Sequence, residues 1–148
     1  MKSLVYAVLI ALTVLSAVSA CNEKVQPQND MVGEWKCVAE ISGEEQDIRV
    51  AFYADYTFEL YQKIGDGLHR YYKGLYTLDN GNVTGTYSDG TSWASEYDVT
   101  FANGTMIMTS TSSEGYSISY IKERIPDEVK NNCVDMTKSV NEKMIPIL

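Results

Sequence analysis

Residues 68–90 read LHRYYKGLYTLDNGNVTGTYSDG, and this stretch decides the fold. Two runs rich in tyrosine, threonine and valine flank Asp79-Asn80-Gly81-Asn82. Asn-Gly tolerates the positive φ that tight turns require, so the stretch reads as a β-hairpin. Leu68–Leu78 is one arm. Val83–Ser88 is the other, and Asp89-Gly90 ends it.

The same grammar recurs outward at spacings of about ten residues, which marks an all-β meander. Upstream lie Glu34–Ile41, Asp47–Tyr53 and Thr57–Ile64, each closed by glycine- or aspartate-bearing turns. Downstream lie Ser92–Phe101, Thr105–Thr111 and Tyr116–Glu123, divided at Asn103-Gly104 and Glu114-Gly115. Eight strands are therefore expected. Within them apolar residues alternate: Ile48, Val50 and Phe52; Trp93, Tyr97, Val99 and Phe101; Met106 and Met108; Tyr116, Ile118 and Tyr120. Glu96, Asp98 and Thr100 take the opposite face. One apolar face per strand implies a single interior. Short consecutive hairpins favour an up-and-down barrel over Greek keys, whose connections include long returns.

After Pro126 the period changes. Val129, Cys133, Met136 and Val140 share one helical face. Pro126 suits a first turn, and Asp127 and Glu128 complement the helix dipole. The expected fold class is thus all-β: an eight-stranded antiparallel up-and-down barrel with a C-terminal α-helix over about Pro126 to Val140. The apolar tail Met144-Ile145-Pro146-Ile147-Leu148 leaves two options open, closing the barrel or fraying.

The other end carries a targeting pattern. Lys2 precedes an apolar run from Val5 to Ala20, which is short of the ~20 residues that span a bilayer. Small residues close the run, as in a secretory signal. Val18-Ser19-Ala20-Cys21 resembles the bacterial lipobox. That resemblance implies that the Cys21 thiol takes a diacylglycerol and becomes the N-terminus after cleavage. An ordinary signal cleavage before Cys21 is the rival. The expected divisions are a lipoprotein signal peptide over 1–20, a lipidated N-terminus and tether over 21–31, a barrel over 32–124, and a helix with tail over 125–148. The membrane partner is then reached through the N-terminal lipid. The expected location is the bacterial cell envelope. Asn22 is not the aspartate that retains lipoproteins in the inner membrane, so the analogy points to the outer membrane.

The 148 residues carry a formal net charge of −8, which becomes −9 once Lys2 leaves with the signal. An acidic surface argues against nucleic-acid binding and against charge-driven attachment to anionic lipid. An export signal also places Cys37 and Cys133 where disulfides persist, and two cysteines allow one pairing. A Cys37–Cys133 bridge is expected, with two buried thiols as the alternative. One histidine and no Cys-x-x-Cys or His-x-x-x-His spacing argue against a metal. No cofactor motif is found. No catalytic set is expected either: His69 has no local acid or nucleophile in view and reads as an exposed strand residue. Glu96 and Asp98 read as a solvated outer face.

Gly33-Glu34-Trp35 opens the first strand and Arg124 closes the last. With Phe52-Tyr53-Ala54-Asp55-Tyr56-Thr57-Phe58 and Tyr72-Lys73-Gly74-Leu75-Tyr76, this resembles the lipocalin-like lipoproteins of bacteria. The resemblance spans about Val32 to Arg124. It implies a compact calycin-type barrel in which Arg124 lies over Trp35 and seals one end by a cation–π contact.

Ten of the eleven tyrosines fall between Tyr53 and Tyr120. Tyrosine offers apolar area with a polar tip. Tyr72, Tyr76, Tyr87, Trp93, Tyr97, Met108 and Tyr120 are the candidate ligand-binding residues, lining a cavity for a small hydrophobic or amphipathic molecule. An eight-stranded barrel can equally be filled by its own side chains. Gly74 and Gly85, both mid-strand, mark either room for a pocket or bends in the sheet. Two functions stay open: a lipid-anchored small-molecule binder, and a filled barrel that meets an envelope protein partner through loop residues such as Tyr56. The second would be a protease-inhibitor-like or surface-assembly lipoprotein.

Overall fold

A computed structural model describes residues 30–38, 43, 45–112, 114–138 and 146–148. Eight antiparallel strands run in chain order. They are β1 (Gly33–Cys37), β2 (Gln46–Phe52), β3 (Thr57–Ile64), β4 (Arg70–Asp79), β5 (Asn82–Tyr87), β6 (Tyr97–Ala102), β7 (Thr105–Ser110) and β8 (Ser117–Lys122). Each pairs with its sequence neighbours, and β1 pairs with β8 at Trp35↔Lys122 and Cys37↔Tyr120. The sheet therefore closes into the up-and-down barrel that the turn grammar implied. β3 matches its expected limits at both ends, because Asp55 and Gly65 bound it. The carboxylate of Asp55 accepts from the Thr57 amide and hydroxyl, and Gly65 takes φ 68°. Asn80 and Asn103 hold φ 50° and 51° in the two hairpin turns.

The inward faces form one continuous core. It runs from Trp35 and Cys37 through Val50, Phe52, Phe58 and Leu60 to Met106, Met108, Ile118 and Tyr120. Met31 joins it from one barrel end and Leu148 from the other. Of the apolar tail, Met144 and Ile145 lie outside the described residues, and Leu148 closes on the barrel and is 1% exposed.

β6 starts later than its alternation suggested. The β5–β6 ladder holds at Asn82↔Asp98 and Val83↔Tyr97, then parts, leaving a single bridge at Thr86↔Ser92. Trp93 turns inward over Gly85 in the gap, and its amide donates to the Gly85 carbonyl at 2.9 Å. Gly85 is required there, since a Cβ would lie 2.1 Å from Cε2 of Trp93. Gly74 is constrained likewise: a Cβ would lie 2.0 Å from the Thr86 carbonyl oxygen. Both glycines thus serve close packing.

The long C-terminal helix is not formed. The helix α1 covers only Asp127–Asn131, after which Val134–Asp135 (β9) pairs in parallel with Arg70 and Tyr71 of β4. A 3₁₀ turn, Met136–Lys138, follows. β5 leaves this part of the β4 edge uncovered, and its backbone groups capture the chain: the Val134 amide donates to the His69 carbonyl at 2.8 Å. Ladder bonds to an open edge outweigh a helix whose continuation would run through Asn131 and Asn132, both weak helix formers. Val140 lies outside the described residues, as do the 1–20 signal, Cys21 and all of the 22–30 tether but Asp30.

Candidate ligand-binding site

All seven candidate residues of the interior come together. Tyr72, Tyr76, Tyr87, Trp93, Tyr97, Met108 and Tyr120 are buried in the one core cluster. Their rings pack mostly edge to face: Trp93 on Phe58 at 5.2 Å, Tyr72 on Tyr87 at 5.9 Å, and Trp93 on Tyr97 at 6.2 Å between centroids. This is the geometry that aromatic quadrupoles prefer.

The polar tips divide into two groups. Tyr76 donates to the Tyr53 carbonyl, Tyr87 to the Leu148 carbonyl, and Tyr97 pairs with the Tyr116 hydroxyl at 2.8 Å. By contrast the Tyr120 hydroxyl and Trp93 Nε1 are buried with no hydrogen-bond partner among the described residues. Burial, then the neighbouring Cys37 and tyrosines, push the Tyr120 phenol well above its ordinary range, so it stays a protonated donor. Two orphaned buried donors in one aromatic interior are the arrangement that a ligand or ordered water with acceptor atoms would satisfy.

A shallow polar cleft of about 480 Å³ opens on the outside where β5 and β6 part. Thr84, Thr86, Ser92, Ser95 and Glu96 line it, with Trp93 beneath. Ser95 and Ser110 hydroxyls pair across it, and Ser110 also pairs with Ser112.

Barrel closure differs from the expected pair. Trp35 is buried and its Nε1 donates to the Met31 carbonyl at 2.9 Å. The cation over its ring is Lys122, with Nζ 5.5 Å from the centroid. Arg124 does not reach Trp35; it pairs with Asp127 at 2.7 Å and its side chain is 73% exposed. The register explains this. Lys122 is directly opposite Trp35 across the β1–β8 ladder, while Arg124 lies past the strand end.

The Cys37–Cys133 bridge is likewise not present; both residues are thiols. Cys37 faces the barrel interior, whereas Cys133 packs outside against a second cluster of Ala51, Tyr61 and Ile125. The barrel wall stands between them.

That outer cluster holds a feature that counting tyrosines missed. The Glu59 carboxylate accepts hydroxyls from Tyr53 at 2.8 Å, Tyr61 at 3.1 Å and Tyr71 at 3.0 Å. Burial first, and then Glu59, raise all three phenols above their ordinary range. Strand parity was the available signal: Phe58 and Leu60 face inward, so Glu59 and Tyr61 must face outward. His69 also departs from expectation. It is half-buried, with Nε2 3.0 Å from Asp47 Oδ2. Asp47 also receives Arg49 Nε, and Arg49 reaches on to Glu123. Glu96 and Asp98 are exposed on the outer face as expected.

A sequence model of the lipocalin-like domain matches residues 31–108. The chain belongs to the lipocalin-like domain family. No curated protein and no solved structure matches it. The lipocalin-like match begins at Met31, which plugs one barrel end, and stops at Met108 within β7. β8 and the C-terminal segment lie beyond the matched lipocalin-like region. Hydrophobic ligand binding in general goes with a lipocalin-like barrel.

Proposed function

We propose that this lipocalin-like chain is a lipid-anchored binding protein of the bacterial cell envelope, taking a small hydrophobic or amphipathic ligand into its barrel. The observation that carries the ligand is the pair of orphaned donors, Tyr120 hydroxyl and Trp93 Nε1, inside an otherwise aromatic interior. Each unsatisfied group costs about 1–3 kcal/mol, and an amphipathic ligand offsets that cost by bringing acceptors. The anchor rests on the Val18-Ser19-Ala20-Cys21 pattern. The outer-membrane destination rests on Asn22. The protein is read as a binder and not an enzyme, since the polar groups of the aromatic interior are, among the described residues, phenols, an indole and the Cys37 thiol, with no acid–base pair.

The alternative, a filled barrel presenting a contact surface, draws on Tyr56. It holds φ 64° at the β2–β3 turn and is 44% exposed, with its ring against Tyr76. Exposed aromatics in a strained turn suit protein contact.

Two measurements test the proposal. Metabolic labelling with radioactive palmitate should mark the wild-type chain and not Cys21→Ser. Thermal shift and tryptophan quenching of the Cys21→Ser chain should respond to fatty acids, bile acids or haem-like compounds. Tyr120→Phe should weaken that response. No response to any of them, with envelope proteins recovered by crosslinking at Tyr56, would establish the filled-barrel alternative instead.

A further inference from the structure

Leu148 occupies the barrel end opposite Met31 in the manner of a ligand. Its side chain lies in the same cluster as Tyr72, Tyr87 and Trp93. Its carbonyl oxygen accepts from the Tyr87 hydroxyl at 2.9 Å and from the Ala94 amide at 3.2 Å. One residue earlier, the Ile147 amide donates to Gln62 Oε1 at 2.8 Å, and Gln62 is itself only 2% exposed. One apolar side chain, the Leu148 carbonyl and the Ile147 amide are thus engaged by the barrel. None of these bonds belongs to a strand ladder. They come from two side chains and one amide of the 88–96 connection. Backbone bonds supply affinity and a side-chain pocket supplies selectivity, which is how peptides are recognised generally.

We propose that this mouth is a binding site for a short apolar peptide, with a leucine-sized side chain seated where Leu148 sits. Residues 147–148 are then the site's own occupant, displaced by a competing peptide. The inference rests on the barrel being a ligand site and narrows the ligand to a peptide. The polar groups impose that narrowing. Tyr87 and Ala94 offer donors to one carbonyl or carboxylate oxygen, and Gln62 offers an acceptor to the N–H of the residue before it. A fatty acyl chain can supply the oxygen but has no N–H for Gln62. Forgoing the N–H bond to Gln62 costs about tenfold in affinity.

The test uses the ¹⁵N-labelled Cys21→Ser chain with and without Leu148→Gly, which empties the seat, and the probe acetyl-Ile-Leu-amide. The Leu148→Gly chain should bind the probe at least about tenfold more tightly than its parent, because an occupant on the same chain competes at a millimolar-order effective concentration. Adding Gln62→Ala should weaken the probe about tenfold, and acetyl-Ile-Asp-amide should not bind. If Leu148→Gly does not fold, the parent itself is titrated: the Ile147 and Ala94 amide signals should move as the probe displaces the tail. A folded Leu148→Gly chain that ignores the probe overturns the proposal, as does a parent whose Ile147 and Ala94 signals stay fixed at saturating probe. Palmitate provides the second arm. Palmitate binding without peptide binding leaves the barrel reading standing and removes this one. Binding of neither removes this one, and the barrel reading falls with it when bile acids and haem-like compounds also give no response.

Discussion

Gly85 and Trp93 are fitted to each other: the indole occupies the space in which any Cβ on residue 85 would lie, 2.1 Å from Trp93 Cε2. The gap in the β5–β6 ladder and the placing of Trp93 in the core therefore share one cause. Gly85→Ala should cost about 1–3 kcal/mol through overpacking, since Trp93 is hemmed in by Phe52, Phe58 and Tyr97. Thermal unfolding followed by tryptophan fluorescence would measure the cost. A melting temperature equal to the wild type would show that the indole can move aside.

Trp35 is covered by Lys122 and not by Arg124. Lys122→Ala should lose about 0.5–1 kcal/mol, the worth of an ordinary cation–π contact. Arg124→Ala should stay within about 0.5 kcal/mol, because its pair with Asp127 is exposed and screened. Urea titration of the two variants side by side distinguishes them, and the reverse order would restore the arginine as the seal.

Glu59 gathers three phenols on the outer wall, two of them half-buried or deeper. Glu59→Ala should destabilise the chain by about 2 kcal/mol, because it strips hydrogen bonds made to a charged acceptor. Chemical denaturation gives the figure directly. The loss should be greater than for Glu96→Ala, whose carboxylate lies on the solvated face.

Alkaline stability follows from the phenols. Burial, ahead of any neighbouring charge, raises Tyr61, Tyr71, Tyr87 and Tyr97 above the ordinary value of 10.0. The unfolded chain therefore sheds these protons first. Stability should be intact below about pH 10 and fall as pH rises beyond it. Far-ultraviolet circular dichroism against pH, alongside phenolate absorbance at 295 nm, would show unfolding and ionisation rising together. Gradual ionisation of a chain that stays folded would contradict it.

Glu34 has the opposite sign. Burial alone would raise its carboxyl, but the Lys130 hydrogen bond, the Ile125 amide and the charges of Lys130 and Arg124 outweigh burial, leaving it below 4.5. Its contribution is present above the unfolded value near 4.5 and is lost as pH falls through the lower folded value. Glu34→Gln should flatten the acid limb of stability against pH below about 4.5, with little change in the alkaline limb.

Much of the barrel was legible because its signals are local. Asn80-Gly81 and Asn103-Gly104 name their turns through backbone φ, and alternation along Ile48, Val50 and Phe52 names the inward face. The seven interior candidates followed from the clustering of aromatic residues between Tyr53 and Tyr120. What was hidden depends on register and on covering layers. The sequence order of Lys122 and Arg124 says nothing about which lies across from Trp35; only the β1–β8 pairing does. Cys37 and Cys133 are paired by counting but separated by the barrel wall. Val129 and Cys133 do pack together on the outer cluster, but Met136 packs on the interior one, so the helical period did not describe one face. The open edge of β4 offered ladder bonds to Val134 that a periodicity argument does not see.

The closing ladder joins β1 to β8, the first strand to the last, and Leu148 enters the core only after both. Pairing the most distant strands requires the largest loop-closure entropy, and topologies of this kind fold slowly. The interior cannot be completed while residues near 148 are still being made. Until then the aromatic inner face, from Phe52 to Tyr120, is an unfinished trough with unpaired strand edges. Apolar surface and unpaired edges stay exposed until both close, so yield in the cell should depend on holdase capacity as well as on the final stability of the barrel.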